Sequence, residues 1–173
     1  MTFEIRPTEK TDLPVITDVY AHHVETGLAS FETDPPDLAE MASRYAGIVE
    51  ANCPYIVATY GGSIAGYAYA GPFHKRHAYR GTVEDSIYLS PAAQGKGIGS
   101  ALLARLIADC EERGFRQMIA LITRLDPPIS VRIHEKAGFE TAGILRDVGF
   151  KQDRWLDVVY MQRTLGSGAT APL

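Results

Sequence analysis

The stretch from residue 82 to residue 104, TVEDSIYLSPAAQGKGIGSALLA, constrains the fold of this chain most strongly. It begins with β-branched and aromatic residues typical of a strand, breaks at Ser90 and Pro91, and passes three glycines before a helix with an apolar stripe. A glycine-rich turn at a helix start presents unpaired backbone N–H groups and the positive end of the helix dipole. The stretch therefore predicts a strand, a turn and a helix that together bind a pyrophosphate.

Two common phosphate-binding patterns do not fit this turn. A Walker loop needs Ser or Thr after its Gly-Lys pair, but Gly97 stands there. The dinucleotide fingerprint needs a third glycine where the chain has Ser100. The remaining order of Gln94, Gly97 and Gly99 resembles the (Q/R)xxGxG signature of the GNAT superfamily of N-acetyltransferases, whose turn binds the pyrophosphate of acetyl-CoA. Taken alone, the pattern leaves open a turn kept only for tight packing.

The composition fits one globular domain of 173 residues, with 46% apolar and 22% charged residues. A net charge of -4 argues against nucleic acid or an anionic membrane surface as a partner, because both need a basic excess. Cys53 and Cys110 form neither a disulfide framework nor a metal-ligand spacing, so we expect free thiols in a reducing cytoplasm. No apolar export signal or membrane span is apparent, and we expect neither export nor anchorage.

Hydrophobic periodicity predicts a strand, two helices, three strands, a helix, a strand, a helix and two strands. The expected strands are 3–6, 55–60, 63–70, 82–89, 117–122, 139–145 and 155–165, with a polar connection between the last two. Thr11 is the expected N-cap of the first helix, Asp37 and Glu40 the expected capping box of the second, and 130–137 the expected fourth helix. This order predicts a mixed α/β sheet covered on both faces, in a domain of residues 1–165 with a flexible tail at 166–173.

Further segments make the resemblance more specific. The segments GPFHKRHAYRGTVEDSIYLSP, SVRIHEKAGF and GFKQDRWLDVVYMQ, with Phe31, Glu32 and Pro35 near the N-terminus, are similar to the phosphinothricin and methionine sulfoximine N-acetyltransferases of bacteria. This similarity covers nearly the whole chain except its tail. It implies the single-domain acetyltransferase fold, with a mixed, mostly antiparallel twisted sheet of about seven strands. It also implies direct acetyl transfer from acetyl-CoA to an amine, no metal, and a homodimer.

Carried over residue by residue, the resemblance implies three catalytic groups. Glu84 matches the general base, which an amine that is protonated at neutral pH requires before it can attack a thioester. His134 matches a helical His that protonates or hydrogen-bonds the departing thiolate. Leu89 matches the residue whose backbone N–H faces the thioester oxygen. The alternatives left open are an ion pair of Glu84 with Arg80, a structural hydrogen bond by His134 and an ordinary ladder bond at Leu89.

The resemblance also implies the binding residues. The expected cofactor-binding set is Tyr88, Leu89, Gln94, Gly95, Lys96, Gly97, Ile98, Gly99, Ser100, Ser130 and His134. The chain departs from the family at Pro127, where the family usually has an Asn that contacts the pantetheine arm. In the basic loop, Arg76, Tyr79 and Arg80 are candidates for a substrate carboxylate or phosphinate, and Phe31 is a candidate wall. A charged loop that is simply solvated is the alternative.

We therefore expect an N-acetyltransferase for phosphinothricin, methionine sulfoximine or methionine sulfone. A different amine, such as a polyamine, an aminoglycoside or a protein N-terminus, is the first alternative. A non-catalytic acyl-CoA-binding sensor is the second. The presence of both Glu84 and His134 disfavours the sensor.

Overall fold

The computed structural model describes residues 2–173, and its strands form one seven-stranded sheet. The strands are β1 (Phe3–Pro7), β2 (Tyr55–Tyr60), β3 (Ser63–Pro72), β4 (Thr82–Leu89), β5 (Gln117–Thr123), β6 (Glu140–Lys151) and β7 (Arg154–Thr164). Their order across the sheet is β1-β2-β3-β4-β5-β7-β6. β4 and β5 pair in parallel, and the other neighbours pair antiparallel. The predicted mixed, mostly antiparallel sheet is confirmed.

Helices cover both faces of the sheet, as predicted. They are α1 (Leu13–Thr26), α2 (Leu38–Glu50), α3 (Ile98–Glu112) and α4 (Ile129–Lys136). α1 and α2 pack on one face through a cluster rich in tyrosine, which includes Tyr20, Tyr55 and Tyr67. On the other face, α3 buries Leu102 and Leu106 completely against the sheet. Across residues 2–173, none of the helices has the combination of length and apolar character needed to cross a membrane.

β4 and β5 pair along only part of their length. Their register runs from Thr82 with Gln117 to Glu84 with Ile119, although β4 continues to Leu89 and β5 to Thr123. Beyond Glu84 the two strands diverge, which leaves their facing backbone groups free of each other. The divergence opens a cleft at the end of β4 that leads into the glycine turn and α3.

One predicted helix start is corrected, and a second is confirmed in part. The residue before α1 is Asp12, not Thr11, because a short 3-10 turn precedes the helix and the Asp12 carboxylate accepts from Arg6 at 2.7 Å. At α2 the Asp37 side chain accepts from the Glu40 N–H at 2.8 Å, which confirms the cap. The reciprocal half of the capping box does not form, because the Glu40 side chain pairs with an arginine one turn later.

The polar connection expected after residue 145 is wrong. β6 continues to Lys151, and the chain reverses at Gln152 and Asp153, whose φ angles are +51° and +57°. Two consecutive positive φ values are typical of a tight hairpin, but Gln-Asp is not the sequence that usually marks one. An irregular register between Leu145 and Gly149 further hides the alternation along this strand.

The C-terminal residues after β7 contact the rest of the chain. Gly168–Thr170 forms a short 3-10 helix, and Arg116 donates a hydrogen bond to the Pro172 carbonyl at 3.2 Å. The domain boundary at residue 165 and the mobility of the tail stay predictions.

Candidate active site

The cleft between the diverging ends of β4 and β5 has a volume of about 120 Å³. Both strands, α4 and the loop after α1 contribute to its lining, which includes Ser86, Tyr88, Ile122, Thr123, Ser130 and His134. The fold thus brings together Tyr88, Ser130 and His134, three of the predicted cofactor-binding residues. The cleft is narrow, lies between two strands with unpaired edges, and suits an extended chain with amide groups.

The glycine turn lies just beyond the end of β4. Gly95 and Gly97 have φ angles of +73° and +77°, and a Cβ at either position would project into open space. Gly97 is also the N-cap of α3, so the N–H groups of the first turn point out of the helix start. The residues on either side, Gln94 and Ser100, are exposed. The turn therefore leaves room for a phosphate close to the backbone.

The remaining residues of this segment have structural contacts of their own. Ile98 is fully buried in the core beneath the turn. A Cβ at Gly99 would lie 3.4 Å from the Leu89 side chain, so the helix start packs closely on the end of β4. The Lys96 ammonium donates to the Ala92 carbonyl and lies 4.8 Å from the centre of the Tyr60 ring.

Glu84 lies at the last position of β4 that pairs with β5, beside Gly71 on β3 and Ile119 on β5. Burial, followed by the charge of the neighbouring Asp85, raises the pKa of the Glu84 carboxyl above its ordinary value. None of the ion pairs within residues 2–173 includes Glu84, so the alternative pairing with Arg80 is not observed there. A partly desolvated carboxylate without a counter-ion has the properties of a general base.

His134 lies on the other side of the sheet from Glu84. Its Nδ1–H donates to the Ser130 carbonyl at 2.8 Å, and its Nε2 lies 3.0 Å from Asp85 Oδ2. Burial alone would lower the pKa of His134, but the hydrogen bond and charge of Asp85 raise it overall. Both ring nitrogens are engaged, which favours the structural alternative, and a role at the departing thiolate stays a prediction.

Asp85 and His23 hold these groups in place, and no sequence pattern indicates either role. His23 on α1 donates from Nε2 to the Leu89 carbonyl at 2.8 Å, and burial lowers the pKa of this imidazole, which favours its neutral form. The bond fixes the end of β4 where the strand has already left β5. The backbone N–H of Leu89 as a donor to the thioester stays a prediction.

Phe31 belongs to a loop, residues 28–36, that is fixed against β6. The Lys151 ammonium is buried and donates to the Ser30 carbonyl at 2.7 Å. The Phe31 ring lies directly on Gly149, where a Cβ would collide with it. Ala29 of the same loop lines the cleft. The loop is therefore a wall of the cleft, and Lys151 is its anchor, which the sequence analysis missed.

A second set of bonds orients this loop from the helix side. Tyr20 on α1 contacts Ser30 Oγ at 2.9 Å and donates to Glu32 at 2.8 Å. Arg44 on α2 donates to the same Glu32 carboxylate at 2.6 Å, and the network keeps the pKa of Glu32 below its ordinary value although burial opposes this. The loop is thus held by both helices as well as by β6.

The basic loop before β4 does not reach the cleft. Arg76 and Arg80 line a separate pocket of about 460 Å³, together with Cys53 and Phe115. Tyr79 is exposed and packs against its neighbours within the loop. These three residues lie near the Thr82 end of β4, and their role in substrate binding stays a prediction. In the described part of the chain, no group of His, Cys, Asp and Glu side chains is arranged to hold a metal ion.

Comparison with known proteins gives consistent matches over this fold. The acetyltransferase (GNAT) family matches residues 16–139. A phosphinothricin N-acetyltransferase from Alcaligenes faecalis is 49% identical over 166 residues, which are 96% of this chain and 84% of that protein. An L-methionine sulfoximine/L-methionine sulfone acetyltransferase from Pseudomonas aeruginosa is 34% identical, and the match covers 99% of this chain and 100% of that protein. The crystal structure of a phosphinothricin acetyltransferase from Sinorhizobium meliloti in complex with AcCoA has a TM-score of 0.96 and 48% identity, over 99% of this chain and 93% of that chain.

Proposed function

This chain belongs to the acetyltransferase (GNAT) family, and on that premise we propose that it acetylates the amine of phosphinothricin, methionine sulfoximine or methionine sulfone. It is an N-acetyltransferase, and its acetyl donor is acetyl-CoA. The observation that carries the proposal is the cleft between β4 and β5, with an open glycine turn at one end and the unpaired carboxylate of Glu84 where the strands part. Acetylation of phosphinothricin would give resistance to that herbicide.

The residues of the cleft and turn fit acetyl-CoA. The backbone N–H groups from Gly95 to Ser100 would hold the pyrophosphate, since two of these positions have the positive φ that glycine allows. The unpaired edges of β4 and β5 would hold the pantetheine arm, with Tyr88 and Ser130 beside it. When bound, acetyl-CoA supplies an activated acetyl group as a thioester.

The roles of the chain's own catalytic groups follow from their positions. Glu84 would take the proton of the substrate ammonium, because a carboxyl whose pKa is raised by burial is a stronger base than an exposed one. The Leu89 N–H would donate to the thioester oxygen, and His134 would stand near the sulfur. Phe31 would form a wall of the site. Arg76 and Arg80 line a separate pocket, so the proposal that they and Tyr79 hold the substrate's carboxylate or phosphinate rests on the bidentate binding of such anions by arginine and not on their position.

We also propose that the protein is a cytoplasmic homodimer. β6 is the edge strand of the sheet, and the hairpin of β6 and β7 exposes large apolar side chains: Val148, Phe150 and Trp155 are 50%, 57% and 63% exposed. An apolar group of this size at a sheet edge is typical of an interface. Two buried free cysteines are consistent with a reducing compartment.

Thiol release measured with a panel of amines tests the proposed function. We expect CoA release with phosphinothricin, methionine sulfoximine and methionine sulfone, and at least about tenfold lower kcat/KM with polyamines, aminoglycosides and peptide N-termini. A higher kcat/KM with a polyamine, an aminoglycoside or a peptide N-terminus would show that the enzyme acetylates a different amine. If the protein binds acetyl-CoA tightly but releases no CoA with any of the amines, it would be a sensor instead.

A further inference from the structure

The two oxygens of the Asp85 carboxylate have very different surroundings. Oδ2 lies 3.0 Å from His134 Nε2, whereas Oδ1 is buried and has no hydrogen-bond partner within residues 2–173. The side chain is only 3% exposed, so water does not cover the second oxygen freely. A buried carboxylate oxygen without a donor is costly, and such a group in a folded protein calls for a partner.

The bonds of His134 determine what this carboxylate can offer. Because the Ser130 carbonyl can only accept, Nδ1 of His134 must carry a proton. A hydrogen bond between Nε2 and Oδ2 then requires a second proton on one of these two atoms. Oδ2 is committed to this contact, and Oδ1 remains as an acceptor.

Asp85 lies at the edge of the cleft. Asp85, Ser130 and His134 all line the space between β4 and β5. Asp85 immediately follows Glu84, the last residue of β4 that pairs with β5, so its side chain lies at the point where the cleft opens. A ligand that extends along the cleft would therefore pass beside the Asp85 carboxylate.

We infer that Asp85 is an additional acetyl-CoA-binding residue: Oδ2 holds His134, and Oδ1 accepts a hydrogen bond from an amide N–H of the pantetheine arm. This inference rests on the proposed function, since it requires acetyl-CoA to occupy the cleft. The chemistry is matched, because the arm contains two secondary amides, which donate hydrogen bonds, and Oδ1 is a carboxyl oxygen without a donor.

Comparing the affinities of two ligands distinguishes a contact with the pantetheine arm from a general effect on folding. Acetyl-CoA carries the arm, whereas adenosine 3′-phosphate 5′-diphosphate carries the nucleotide half alone. Calorimetric titration of both ligands into wild type, Asp85→Ala and Asp85→Asn gives the ratio of the two affinities for each protein. Asp109→Asn, which removes a carboxylate paired with Arg105 on α3, is the matched control.

For Asp85→Ala we expect acetyl-CoA to bind about tenfold more weakly while the nucleotide keeps its wild-type affinity. Asp85→Asn keeps the shape of the side chain and one carbonyl oxygen, so we expect a smaller loss of acetyl-CoA affinity. This variant replaces Asp85→Ala in the test if Asp85→Ala does not fold. Equal losses for both ligands, or no loss for either, would overturn the inference. A wild-type protein that binds the nucleotide but not acetyl-CoA would contradict the proposed function itself.

Discussion

Glu84 is the residue on which the proposed chemistry depends most. It is half-buried, has no cation paired with it in residues 2–173, and lies beside a second carboxylate, Asp85. Each of these features disfavours the charged form, which is why the pKa of Glu84 is raised. A fold selected for stability alone would gain from a neutral side chain here. The unfavourable environment is therefore evidence of a functional role.

Replacing Glu84 with Gln should lower kcat/KM by roughly 10² to 10⁴ near neutral pH, the usual contribution of a general base. The deficit should shrink as the pH rises, because the substrate amine then loses its proton without help. The measurement is the pH profile of kcat/KM for both proteins. Glu40→Gln, on an exposed ion pair of α2, is the control and should keep wild-type activity. A Glu84→Gln profile parallel to wild type at every pH would remove Glu84 as the base.

Glu84→Gln should lower the activity but raise the stability of the folded protein. The folded-state pKa of Glu84 lies above its unfolded value, so the ionised carboxylate destabilises the folded protein at pH values above the folded pKa. Glu84→Gln should therefore unfold at a higher temperature than wild type at pH 7. The gain should disappear when the pH falls below the unfolded pKa, where the wild-type carboxyl is protonated in both states. A less stable variant at pH 7 would show that Glu84 has a structural partner after all.

Among the elements, the glycine turn before α3 can be tested with a single substitution. Gly97→Val should weaken acetyl-CoA binding by at least about tenfold, because a branched side chain would fill the space that the pyrophosphate needs. It should also cost about 1–2 kcal/mol of stability, since valine is strained at a positive φ.

Gly62→Val is a matched control for the backbone strain. Gly62 lies in the hairpin between β2 and β3, has a φ of +82° and also has open space around it. The control should lose similar stability but bind acetyl-CoA as wild type does in a calorimetric titration. Equal affinity in folded Gly97→Val and Gly62→Val would refute the phosphate assignment.

The contacts of the loop of residues 28–36 lead to a prediction about binding of the amine substrate. Lys151→Met should raise the KM for the amine about tenfold, because it leaves the Ser30 carbonyl without its donor and frees the wall that carries Phe31. The affinity for acetyl-CoA should fall by a smaller factor than the KM for the amine rises, because Ala29 alone among residues 28–36 lines the cleft. Lys10→Met, at an exposed lysine far along the chain, is the control. A change in acetyl-CoA affinity with an unchanged KM for the amine would contradict this role.

The elements differ in how well the sequence predicts them. The segment of β4, turn and α3 is predictable because strand propensity, glycines and helical periodicity all lie within about two dozen consecutive residues. The far half of β6 is not, since its bulge and its Gln-Asp turn carry no usual signal. The contacts of Asp85 with His134 and of His23 with Leu89 join residues 49 and 66 positions apart, and no local pattern reveals such pairs.

At the scale of the whole molecule, the order of elements was enough to predict a mixed sheet with helices on both faces. It was not enough to predict that β4 and β5 separate after Glu84, because strand length and composition are the same whether the strands stay paired or diverge. The resemblance to a family supplied the catalytic assignments. The structure supplied the anchors around them, namely His23, Asp85 and Lys151.

The proposed dimer also belongs to this scale. Trp155→Glu should convert the dimer to a monomer in sedimentation velocity, because it places a charge in the exposed apolar group on the hairpin of β6 and β7. Val49→Glu changes a comparably exposed apolar residue on α2 and should leave the dimer intact. A wild-type protein that sediments as a monomer at micromolar concentration would contradict the dimer.

The central claim is that one cleft holds the acetyl donor beside the base that activates the amine. A crystal structure of the protein with CoA and phosphinothricin tests it most directly. We predict that the pyrophosphate contacts the N–H groups of residues 95–100, that the sulfur lies between β4 and β5, and that the substrate amine is within hydrogen-bond reach of Glu84. A nucleotide bound elsewhere, or a Glu84 carboxylate turned away from the amine, would contradict the claim.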